Sequence, residues 1–129
     1  MTPTDMPGDV RRFILTSVPS VPYLEAILLL RSDPGASWDA SRVARRLYLA
    51  EQKAAELLQA LAAAGVAGEV GEAPGCFQFR PVTAELAGML DRVAQAYTTH
   101  LLGVTDLIHS RIDKRAQQFA DAFRWRKDS

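Results

Sequence analysis

From Leu86 to Ile108 the large apolar residues keep returning to one side of a helix. At about 100° per residue, Leu90, Val93, Tyr97, Leu101, Val104 and Ile108 all fall within about 60° of Leu86. Asp91, Gln95, Thr99, Asp106 and His109 fall on the far side, at about 140–220°. Leu102 is the one large apolar residue out of step. The spacing predicts a single continuous helix with Gly103 inside it. From Thr83 to Arg111 that helix is about 43 Å long, against roughly 30 Å for a small domain. A helix that outruns its domain leaves apolar surface in water, at a cost of about 1.5–3 kcal/mol per large side chain. The expected remedy is pairing with the same helix of a second copy. That gives a two-fold homodimer through Tyr97, Leu101, Val104 and Ile108. The other remedy is a bend near Gly103 that folds the helix back on its own domain, with help from the leader.

Upstream of this helix the chain reads as short helices and one hairpin. Residues 1–17 form a leader whose Pro3, Pro7 and Gly8 leave room for one or two helical turns in "VRRFIL". Ser20 is an N-cap candidate, Pro22 fits a first turn, and Asp33-Pro34-Gly35 ends the helix between them. Leu24, Ile27, Leu28 and Leu30 supply its buried face. Trp38 precedes Asp39, which caps a short helix with Val43 and Leu47 inward. After a tight Leu49-Ala50 connection, "EQKAAELLQALAAAG" buries Leu57, Leu58 and Leu61 and stops at Gly65. "VAGEV" and "CFQFR" alternate as two strands around a turn-rich "GEAPG". The fold class is therefore mostly α with a small two-stranded hairpin, an α+β arrangement. Hydrophobic residues make up 48% of the 129, which is too apolar for a disordered chain.

This order, and "ASRVARRLYLAEQKAAELLQALAAAGVAGEV" in particular, resembles the bacterial winged helix-turn-helix proteins of the broad MarR-like kind. The resemblance covers residues 18–81. Residues 82–112 are then the long dimerisation helix and 113–129 a basic, aromatic tail. The chain is also similar to a group of small bacterial proteins with an N-terminal stretch like "SVPYLEAILLL" and a C-terminal "FADAFR". That second likeness implies no activity. The first implies a bacterial transcription regulator that binds duplex DNA as a homodimer. The reading helix would begin near Ala50 and enter the major groove, with the hairpin as a wing on the backbone. Arg42, Arg45, Arg46 and Arg80 would hold phosphates. Gln52 would face adenine, and Lys53 guanine or phosphate. Glu51, Glu56, Glu69 and Glu72 are unfavourable beside a polyanion. They support the alternative, an adaptor that uses the winged fold, the long helix or the tail to hold another protein.

Charge is balanced, with 15 Lys+Arg against 15 Asp+Glu, which excludes a general polycation. Only residues 113–129 carry a local positive excess, five bases against three acids. There Ala116, Phe119, Ala120 and Phe123 follow the i, i+3, i+4, i+7 spacing of a groove-binding helix, and Trp125 lies close by. This tail either caps the protein's own core, docks on a partner protein, or touches nucleic-acid phosphate or an anionic membrane surface.

The sequence carries no catalytic pattern, so an enzyme is not expected. His100 and His109 are nine residues apart, on opposite sides of one helix, and cannot share a metal. His109 with Asp106 and Ser110 lacks an oxyanion loop. The single cysteine, Cys76, excludes a disulfide within the chain and has no base nearer than Arg80. Gly65, Gly68, Gly71 and Gly75 lack the Gly-Lys-Ser/Thr ending of a phosphate loop. No cofactor or metal is expected. The longest apolar run, Ala26 to Leu30, is far below a membrane span of about 20 residues. The N-terminal stretch carries acids and no apolar signal-peptide core, so the expected compartment is the cytoplasm.

Overall fold

A computed structural model describes residues 6–72 and 74–110. Helices α1 (Gly8–Ser17), α2 (Val21–Ser32), α3 (Ala40–Leu47) and α4 (Glu51–Ala63) lead into strands β1 (Ala67–Glu69) and β2 (Phe77–Phe79). Helix α5 (Ala84–Thr99) and a further helix α6, residues 101–110, follow. The described chain is thus mostly helical with one two-stranded antiparallel sheet. The described residues divide into two compact units, one within Pro22–Ala94 and one joining residues 6–21 with residues 95–110.

In the Pro22–Ala94 unit, local chemistry sets each boundary. α2 takes Pro22 in its first turn, where no backbone donor is lost. It ends at Ser32, one residue before Asp33, which Pro34 holds out of the helical region. α3 starts at Asp39, whose carboxylate accepts from the Arg42 N–H at 2.8 Å. α4 buries Ala54, Leu57, Leu58 and Leu61 on one face and ends in Gly65 at φ 79°. Any side chain at Gly65 would meet Val82 Cγ2 at 2.8 Å, so this position takes only glycine. The hairpin pairs Ala67 with Phe79, Gly68 with Gln78 and Glu69 with Phe77. Thr83 Oγ1 accepts from Leu86 N–H and opens α5, and an Arg31–Asp91 ion pair of 2.9 Å joins α2 to it.

Trp38 adds a single antiparallel bridge to β2, beside the three β1–β2 pairs. Its N–H donates to Phe77 O and its C=O accepts from Phe77 N–H, both at 2.8 Å. The segment between α2 and α3 is therefore stitched to β2. Trp38 and Phe77, 1% and 2% exposed, sit in a core with Leu24, Ile27, Leu30, Val43, Leu58, Leu61, Leu90 and Val93. Leu28 and Leu47, expected inside, are only half-buried.

The other unit corrects two expectations. The leader is a ten-residue helix whose Val10 and Ile14 are buried, as is Val18 just after it, at the four-residue spacing of one helix face. The long helix is not continuous: it is interrupted at His100, and α6 starts afresh at residue 101. Tyr97-Thr98-Thr99 is a run of weak helix formers, and Thr99 Oγ1 donates to Gln95 O at 2.9 Å. Such back-bonding bends a helix, and Gly103 stands in the next turn. Val104 and Ile108, expected on a dimer face, are 0% and 1% exposed within one chain. Met6 Cε lies 3.9 Å from where a Gly103 side chain would begin, which brings the N-terminal segment against α6. The expected phase puts Leu101 inside with them, but it is half-exposed, and Leu102 is 76% exposed. Among the described residues, no single helix is long and apolar enough to cross a membrane.

Candidate nucleic-acid interface

α3 and α4 are joined by a tight connection, residues 48–50. The connection turns because Tyr48 takes the left-handed conformation, φ 57° and ψ 49°. The N–H groups of Tyr48 and Leu49 both donate to Ala44 O, which satisfies the end of α3. α4 begins after Ala50, whose side chain offers no cap to the first-turn N–H groups. Glu51, Gln52 and Lys53 occupy that first turn and are exposed, with Glu56 and Gln59 further along. Buried Ala54 and Leu57 alternate with them and hold α4 in place.

The basic residues expected to meet phosphate do not stand alike. The Arg42 guanidinium carbon lies 4.0 Å from the centroid of the Trp38 ring. Its Nη1 also donates to Ser37 O at 2.7 Å. Arg42 is thus a half-buried clamp on the turn before α3, with only part of its fork free. Arg46 lies over the same ring at 5.8 Å but is exposed. Arg45 is exposed and held only by a long contact to Ser41 Oγ, 3.4 Å. Arg80 runs along β2 across Gly68, where a side chain would come within 3.3 Å of its Cδ. Its Nη2 donates to Gln78 Oε1 at 3.2 Å, and Gln78 Nε2 donates in turn to Gly35 O at 2.9 Å. Arg80 is thereby oriented by the hairpin and the α2–α3 turn together. Gln52 and Lys53 make no side-chain hydrogen bond among the described residues, so their polar ends face solvent.

Two participants escaped the sequence reading. Trp38 reads there as an isolated aromatic, yet it anchors both arginines and β2, and its Nε1 is buried without a partner among the described residues. Tyr48 reads as an ordinary helix end. Its signal was a bulky residue where glycine or asparagine is usual.

Other candidates fall outside this site. Cys76 is a half-buried free thiol beside the hairpin. His100 is half-buried at the α5–α6 break, and His109 is exposed. Thr98 to Gly103 line a hollow of about 420 Å³ with no acid or lysine in it. Among the described residues, no group of three or more His, Cys, Asp or Glu is placed to hold a metal. Burial pushes the Tyr23 phenol above its ordinary 10.0, so it stays neutral at physiological pH. Phe119, Phe123 and Trp125 lie outside the described residues. No family model matches this chain, nor does any curated protein or solved structure.

Proposed function

We propose that residues 18–81 form a winged helix-turn-helix that binds duplex DNA, in a bacterial transcription regulator acting as a homodimer. The observation that carries this reading is the order of α2, the Trp38 bridge, α3, α4 and the β1–β2 hairpin, with Trp38 paired to the last strand. In this reading the exposed first turn of α4 enters a groove and Arg80 lies on the wing. Arg45, Arg46 and Arg80 hold phosphates, and Arg42 fixes the geometry beneath them. Gln52 and Lys53 face base edges. Self-association, with Val104 and Ile108 already covered, would use Tyr97, Leu101 and Leu102.

The adaptor reading keeps one observation of its own: Glu51, Glu56, Glu69 and Glu72 are all exposed on α4 and the hairpin. A double variant, Arg45→Ala with Arg46→Ala, separates the two. Both side chains are exposed, so the fold is expected to persist. DNA affinity measured by fluorescence anisotropy is expected to drop, with a salt slope shallower by roughly one to two per copy. Unchanged affinity and slope would remove both arginines from the interface. Binding of a protein partner, with no DNA affinity in either form, would establish the adaptor.

A further inference from the structure

Tyr48 combines two properties that seldom occur together. It is the only non-glycine residue with positive φ among the described residues. Its side chain is 93% exposed, the most of any large apolar or aromatic residue described. The left-handed conformation crowds the Cβ of an L residue against its own carbonyl, and a bulky side chain there is strained. Glycine or asparagine would end α3 without that strain. In strained positions that the fold supports, neighbouring contacts normally offset the cost. At 93% exposure almost no such contact exists here. The Tyr48 and Leu49 N–H bonds to Ala44 O hold the backbone in this turn, but the ring itself, out in solvent, returns nothing toward the cost of the conformation.

Its place in the chain gives that cost a use. Tyr48 follows the exposed Arg45 and Arg46 and precedes the exposed Gln52 and Lys53, on the turn between the two helices. A phenol is a rigid side chain with one hydroxyl donor, and tyrosine is among the side chains that bond DNA phosphate oxygens. We infer that Tyr48 is a DNA-backbone contact, its hydroxyl donating to a phosphate oxygen of the duplex as α4 enters the groove. The inference rests on the DNA-binding reading above and adds to it a neutral residue that no count of charges includes. Because the contact is to the backbone, it acts on every sequence alike.

Tyr48→Gly and Tyr48→Phe test it, with anisotropy on a labelled random-sequence duplex and thermal unfolding of each protein. Tyr48→Gly relieves the strain and is expected to raise Tm by about 4 °C. It is also expected to weaken DNA binding by about fivefold, the worth of one hydrogen bond. Tyr48→Phe keeps the ring and the strain, so Tm stays put while binding weakens by a similar factor. Wild-type affinity in Tyr48→Gly would overturn the contact and leave the DNA-binding reading standing. Wild-type affinity in Tyr48→Phe alone would overturn the role of the hydroxyl. A fall in Tm for Tyr48→Gly would overturn the strain argument. Absence of DNA binding by the wild-type protein would overturn both this inference and the reading beneath it.

Discussion

Replacing Trp38 by alanine is expected to cost about 3–5 kcal/mol of stability, a large part of what a small domain has. Trp38 is 1% exposed and is the largest fully buried side chain in the described core. Its removal leaves a cavity among leucines and valines and strips Arg42 of the ring it covers. The two backbone bonds to Phe77 do not need the side chain, but the ring positions the segment that makes them. The hairpin is therefore expected to loosen along with the α2–α3 turn. Trp38→Phe is the informative control. It keeps most of the packing and removes the buried Nε1–H that lacks a partner among the described residues. An unsatisfied buried donor costs about 1–3 kcal/mol, which offsets part of the lost volume. Urea unfolding should rank the proteins wild type, then Trp38→Phe, then Trp38→Ala well below. Equal losses in both variants would contradict this account, because Trp38→Phe keeps most of the packing and sheds an unsatisfied donor.

Val104→Asp is expected to unfold the unit made of residues 6–21 and 95–110. Val104 is 0% exposed within a single chain. A carboxylate at such a position costs several kcal/mol whether it stays charged or takes up a proton. Far-UV circular dichroism should show the loss of helix in α1 and α6. The same substitution distinguishes burial within the chain from burial between copies. A side chain covered only by a second copy would, once charged, yield a folded monomer with its helical content intact. Sedimentation velocity beside the dichroism separates those outcomes, and a folded monomer would contradict the burial described for Val104.

Much of the Pro22–Ala94 unit was legible because its signals are local. Leu57, Leu58 and Leu61 share a face by spacing alone, Asp39 announces a helix start, and the alternation around Phe77 announces a strand. Three features were not legible for reasons of physics. A helical phase computed at constant angle cannot register that Thr99 bonds back to Gln95 and that the helix stops at His100. Val104 and Ile108 are buried in a unit drawn from distant parts of the chain, residues 6–21 with residues 95–110, and spacing along one helix does not register that. The leader's own stripe of Val10, Ile14 and Val18 was masked by neighbouring Pro3, Pro7 and Gly8. At the candidate interface, sequence located the charges but not their attachments. It ranked Arg42 with Arg45 and Arg46, whereas the Trp38 ring and Ser37 O hold Arg42 beneath the surface. It also passed over Tyr48, because exposure and a backbone angle are properties of the folded chain.

In the proposed function a helix-turn-helix with balanced charge grips DNA through a few arginines and one turn. The decisive experiment is fluorescence anisotropy of the wild-type protein with a random-sequence duplex, at low and then at physiological salt. Micromolar or tighter binding at low salt, weakening steeply as salt rises, is the predicted result. No binding at low salt would contradict it, and the exposed glutamates of α4 and the hairpin would then mark a surface for another protein.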